Sequence, residues 1–158
     1  MRTLVAYHSH SGHTRRAAEA LAARIGADLA EIRPADGRFR GLIGLVRAII
    51  AARRAQPAPI APMDTRLEDY DLVVVSTPIW ASHISPPARA FLMQNKARLR
   101  DYATLYTCAG AGLPEAGEDM ARIMGPSPRA VLDLTRRDEG TPAFREKLET
   151  FVREIGAG

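Results

Sequence analysis

The sequence has a single cysteine, Cys108, among 158 residues. One thiol cannot close a disulfide within the chain and argues against a cysteine-based zinc site. It suits a reducing compartment, so a cytoplasmic protein is expected. Apolar runs are short. None is long enough to span a bilayer, and no signal peptide is visible before the strand-like Thr3 to Tyr7. Aromatic residues make up only 6%, with one tryptophan, Trp80. No aromatic platform or nucleic-acid motif accompanies the basic residues, so no nucleic-acid partner is expected. There is no Gly-Lys-Ser/Thr loop and no Gly-x-Gly-x-x-Gly after the first strand. Those gaps exclude a P-loop NTPase and weigh against a dinucleotide site.

What is present is an ordinary globular composition. Hydrophobic residues make up 46% and charged residues 25%, in a length that suits one domain spanning 1–158. Lys and Arg total 22 against 18 Asp and Glu, a net +4. The excess fits either a mildly basic solvated surface or an anionic partner such as a cofactor.

Leu4-Val5-Ala6-Tyr7 and Leu72-Val73-Val74-Val75 are nearly continuous apolar runs. Such runs mark parallel strands covered on both faces. Asp28–Ile32, Ala103–Cys108 and Ala130–Leu134 are weaker strand candidates. Helical patterns lie between them: Ala17 to Ile25 ending at Gly26, a segment opened by Ser85-Pro86, another opened by Pro114, and a last opened by Thr141-Pro142. This strict alternation predicts a parallel sheet with helices on both faces. Gln56 to Met63 reads as a proline-rich loop. The second helix, about Phe39 to Ala55, crowds Leu42, Ile43, Leu45, Val46, Ile49 and Ile50 beside Arg47, Arg53 and Arg54. It is expected to turn a broad apolar face to the core. The alternative is a dimer, partner or membrane contact, and membrane association is not the expected outcome.

Ligands of open parallel sheets bind beyond the strands' carboxyl ends. The loop after the first strand reads Ser9-His10-Ser11-Gly12-His13-Thr14. A helix start offers bare N–H groups and a favourable dipole to an anion. Gly12 lets a ligand oxygen approach the backbone, and three hydroxyls add donors. Simple N-capping would explain Ser11 or Thr14 alone. His8, His10 and His13 are read either as loop packing or, for His10 and His13, as lying near the anion, rather than as a metal site; no metal is expected.

Tyr7 through Thr14 resembles the phosphate loop of the flavodoxin family. Thr77-Pro78-Ile79-Trp80-Ala81-Ser82-His83, with the helix from Pro86 to Leu92, is similar to that family's isoalloxazine loop. Thr107 to Gly112 resembles its second flavin-edge loop. The resemblance runs from Met1 to about Ile155. It implies a flavodoxin-like three-layer α/β/α sandwich, with a five-stranded parallel sheet in the order 2-1-3-4-5, and FMN as cofactor. By position, Ser9, His10, Ser11, Gly12, His13 and Thr14 would hold the phosphate. Pro78, Ile79 and Trp80 would contact the ribityl chain and ring, with Ala81, Ser82 and His83 completing that loop. Ala109, Gly110 and Gly112 would offer backbone groups to the ring's pyrimidine end.

The sequence departs from the family pattern in three places. His13 stands where asparagine is common. Ala81 and Ser82 replace a second aromatic residue and a glycine that permits a peptide flip. The third loop carries no aromatic, which would leave one ring face open to a substrate. The implied function is flavin redox chemistry, as an electron carrier serving a redox partner protein or as a small oxidoreductase with a quinone-type acceptor. A flavodoxin-like binding module without FMN is the alternative from another class. A homodimer is one assembly the sequence leaves open, and no catalytic side chain stands out.

Overall fold

The computed structural model describes residues 1–37, 41–110, 113–125 and 127–157. In chain order they form β1 (Thr3–Tyr7), α1 (His13–Ile25), β2 (Asp28–Glu31), α2 (Gly41–Arg53), β3 (Leu72–Trp80), β4 (His83–Ile84), α3 (Pro86–Asn95), β5 (Tyr102–Cys108), α4 (Leu113–Met124), β6 (Val131–Thr135) and α5 (Pro142–Glu154).

The side-chain period of two in a strand explains the layering. On β1, Leu4 and Ala6 point to one face of the sheet, while Val5 and Tyr7 point to the other. On β3, Val73 and Val75 join the first set, and Leu72 and Val74 the second. The first face is closed by Phe91 and Leu92 of α3 and by Ala116, Met120 and Ile123 of α4. The second is closed by Ala17, Ala18, Leu21 and Ala22 of α1 and by Leu148, Phe151 and Val152 of α5. Both faces are therefore buried, which is why the central strands read as unbroken apolar runs.

The sheet order is β2-β1-β3-β5-β6, with every neighbour pair parallel. Counting parallel strands alone, this is 2-1-3-4-5, as the flavodoxin resemblance implied. The added strand β4 is a two-residue return that pairs antiparallel with the end of β3, Ile79 opposite Ile84 and Trp80 opposite His83.

Two expectations need correction. The segment Pro78–Trp80, read as loop, continues β3. Its parallel pairing with β5 ends at Pro78 opposite Thr107, and beyond that point β4 supplies the backbone partners. The second correction concerns α2. Most of its large residues do not face the core: Leu42, Ile43, Val46 and Ile50 are exposed, Leu45 and Ile49 are half-buried, and the buried positions are Gly44, Ala48 and Ala52. The helix packs beside β3, β4 and α3, close enough that only small residues fit beneath it. The expected start of this helix at Phe39 lies outside the described residues.

Candidate functional site at the carboxyl end of the sheet

A cleft of about 340 Å³ opens where β1, β3, β5 and β6 end. A volume of that size falls in the range of small-molecule sites. One rim is the start of α1. Gly12 sits at the N-cap with φ 88°, in the left-handed region that glycine adopts without penalty, and no side chain caps the helix. The first-turn N–H groups of α1 thus remain available to an anion at the positive end of the helix dipole. Gly12 N–H itself donates to Ser9 Oγ at 3.1 Å, which curls the loop back on itself. A Cβ added at Gly12 would stand 3.2 Å from Arg16 Nη1, so a side chain there would crowd that guanidinium.

His10, Ser11, His13 and Thr14 line this rim. Thr14 is buried, and its hydroxyl shares a 2.7 Å hydrogen bond with that of Thr107, tying α1 to the end of β5. Arg16, one turn into α1, also lines the cleft. Glu139, from the turn after β6, bridges His13 and Arg16, with Oε2 2.7 Å from His13 Nδ1 and Oε1 accepting from Arg16 Nε. The Arg16 guanidinium, and then His13, hold the Glu139 carboxyl below its ordinary range. Arg136, Gly140 and Phe144 extend the same wall. The turn that carries Arg136 and Gly140 is built by Asp138, whose Oδ2 accepts from Thr135 N–H at 2.6 Å and from Lys147 Nζ at 3.1 Å, while Phe144 comes from the first turn of α5.

The opposite wall is Pro78, Ile79 and Trp80, with Leu45 of α2 and Ala109 completing it. Trp80 packs against Ala48 and Ala58. The rings of His8 and His10 stand nearly perpendicular to its indole, at 5.6 and 5.9 Å between centroids. His8 is buried, and a chain of hydrogen bonds explains its state. The Thr77 hydroxyl donates to Pro78 O. Ser85 Oγ, 2.9 Å away, therefore donates to Thr77 Oγ1 and accepts from His8 Nδ1–H at 3.1 Å. Burial, reinforced by the charge of His10, lowers the His8 pKa to about 4. His8 is thus a neutral strut joining β1 to the start of α3.

Not every expected residue reaches the cleft. Ala81 and Ser82 form the β3–β4 turn, at φ 47° and 71°. Positive φ at both central residues is the geometry of a hairpin turn that normally selects Asn-Gly. His83 turns away from the cleft: its Nδ1 lies 3.0 Å from Oδ2 of Asp119, a fully buried carboxylate on α4. Asp119 also meets Arg89 Nη2 at 2.6 Å and accepts from Ile84 N–H at 3.3 Å. The hairpin is therefore pinned from below by a buried ion pair. Gly110 follows β5 with φ 146° and does not line the cleft. Gly112 lies outside the described residues.

Sequence reasoning missed Arg16, Leu45, Arg136, Glu139 and Phe144. The turn after β6 could have been found, because it too follows the carboxyl end of a parallel strand. Leu45 and Arg16 carry no local signal.

The pattern of the family described as Flavodoxin matches residues 2–133. The chain belongs to the flavodoxin family. No curated protein matches it. Among solved structures it is similar to a flavoprotein in complex with FMN from Lactobacillus acidophilus NCFM, at 20% identity and a TM-score of 0.74, covering 95% of this chain and 97% of that one. It is also similar to a flavodoxin, WrbA-like protein from Agrobacterium tumefaciens, at 17% identity, a TM-score of 0.65, and 99% and 96% coverage. A flavodoxin from Streptococcus pneumonia TIGR4 matches at 17% identity, with a TM-score of 0.61 and 99% coverage of both chains. At these identities the likeness establishes a flavodoxin fold.

Proposed function

We propose that this chain, acting as one domain over 1–158, binds FMN non-covalently in the cleft and serves as a flavin redox protein. The observation that carries this reading is the uncapped N-terminus of α1, with Gly12 at φ 88°, opening into a cleft walled by Trp80. An aromatic wall facing a set of bare N–H groups suits a ligand with a flat ring at one end and a dianion at the other. The backbone from Ser9 to Thr14, with the hydroxyls of Ser11 and Thr14, would hold the phosphate. Arg16 would balance its charge, and Trp80, Ile79 and Pro78 would bound the ring. Bound FMN would supply hydride or single-electron chemistry; the protein supplies binding, orientation and electrostatics.

Arg136 at the cleft, together with the net +4 of the chain, would stabilise an anionic reduced ring. A midpoint potential above that of free FMN follows, which favours a small oxidoreductase, with a quinone-type acceptor, over a low-potential electron carrier. The single thiol, Cys108, suits work in a reducing cytoplasm.

The test is titration of the purified protein with FMN, followed by Trp80 fluorescence and the visible spectrum. One-to-one binding with strong quenching is expected. Arg16→Ala should weaken FMN more than riboflavin, which lacks the phosphate. Absence of binding at micromolar FMN would overturn the reading and leave a flavodoxin-like module that binds a partner.

A further inference from the structure

The face of α2 turned away from the protein takes no part in the fold or in the cleft. Leu42, Ile43, Val46 and Ile50 are exposed by 79%, 71%, 52% and 45%. They make up four of the eight exposed large hydrophobic residues among those described. At 100° per residue they fall on one side of the helix, and Arg47, Arg53 and Arg54 fall on or beside the same side, all exposed. Among the described residues no ion pair engages these three arginines. The chemistry of the surrounding sequence is one-sided. From Gly37 to Met63 there are five arginines and no aspartate or glutamate.

We propose that this face of α2 docks the protein on an anionic lipid surface, with the helix lying in the plane of the membrane interface. Aliphatic side chains interleaved with arginine are what an interfacial helix needs: the apolar stripe enters the headgroup boundary, and each guanidinium meets lipid phosphate. At 13 residues α2 is about 20 Å long, too short to cross a bilayer. Among the described residues no helix is long and apolar enough to do so.

Charge decides against a second copy of the chain. A two-fold pairing through this face would bring Arg47, Arg53 and Arg54 of both copies together, with no acid between Gly37 and Met63 to offset them. Shape decides against a peptide: the exposed face is the convex side of a helix, whereas helical and extended peptides are held in grooves or on sheet edges.

Flotation of the full-length protein with vesicles tests the proposal. Vesicles containing phosphatidylglycerol should carry the protein up the gradient, at least about tenfold more than vesicles of phosphatidylcholine alone. About 0.5 M salt should weaken the association. Val46→Asp and Ile43→Glu should each abolish flotation, and Arg53→Glu/Arg54→Glu should reduce it severalfold. These side chains are exposed, so thermal melting should be unchanged and a folding defect can be told from a docking defect. The proposal is overturned by failure to float with anionic vesicles, or by flotation that survives Val46→Asp and Ile43→Glu. It is equally overturned by sedimentation showing a dimer that those two substitutions dissociate. None of these readouts involves FMN, so the result stands apart from the cofactor reading.

Discussion

Helices α1 and α2 are the same length, 13 residues each, and treat their side chains in opposite ways. Helix α1 lies over the middle of the sheet, against β1, β3 and β5, and sinks Leu21 completely. Its cations are satisfied within the protein: Arg15 by Glu31, Arg16 by Glu139 and Arg24 by Glu149. Helix α2 has the more apolar sequence, yet its fully buried positions are only glycine and alanine; Leu42, Ile43, Val46 and Ile50 stay outside, and Leu45 and Ile49 are half-buried. Apolar content therefore does not decide burial here. Position over the sheet does, because α2 rests beside the β3–β4 hairpin at close range, where there is no depth for a branched side chain.

The sharpest contrast with the solvated arginines of α2 is the buried pair Arg89–Asp119 under the same hairpin. Asp119→Ala should cost roughly 3–5 kcal/mol in urea denaturation, because it strands a buried guanidinium. Arg53→Ala should cost no more than about 0.5 kcal/mol. If the two proved equal, the ion pair would not be buried in the sense argued. Among leucines, Leu21→Ala should lose about 3 kcal/mol by leaving a cavity in the core, and Leu42→Ala less than about 0.5 kcal/mol. A large loss at Leu42 would mean that α2 packs against something in solution.

His8 extends the contrast to pH. Its folded pKa is about 4, against an ordinary value of 6.5, so as acid is added the unfolded chain takes up this proton first. The contribution is complete above pH 6.5 and is lost as the pH falls toward 4, on the order of 3 kcal/mol in all. Denaturation at a series of pH values, compared with His8→Gln, should show the variant's stability declining less across that window.

Smaller effects belong to the turn and the cleft. Replacing Ala81-Ser82 by Asn-Gly should stabilise the protein by roughly 1 kcal/mol or more, since both positions hold positive φ. An unchanged melting temperature would argue against that strain. Glu139→Gln removes a negative charge from between His13 and Arg16. Calorimetry should show FMN binding tightened severalfold, about 1 kcal/mol, because the phosphate no longer competes with a carboxylate. Weaker binding would instead assign Glu139 to holding the loop in shape.

Much of the fold was legible residue by residue. Continuous apolar runs at Leu4–Tyr7 and Leu72–Val75 marked central parallel strands because both faces are covered. Gly26 and the Ser85-Pro86 and Thr141-Pro142 pairs marked helix ends because their backbone preferences are local. The loop Ser9–Thr14 stood out because an anion cradle is built from consecutive residues. By itself, then, the sequence determined the alternation of strands and helices, the end of α1 and the starts of α3 and α5, which depend on short-range periodicity and turn chemistry; the sheet order came only with the flavodoxin resemblance. Tertiary structure alone decided that Glu139 reaches across 126 positions to His13, that Asp119 sits beneath the hairpin, and that the apolar face of α2 looks outward. Those outcomes depend on which elements meet in space and at what depth, and no local pattern encodes either.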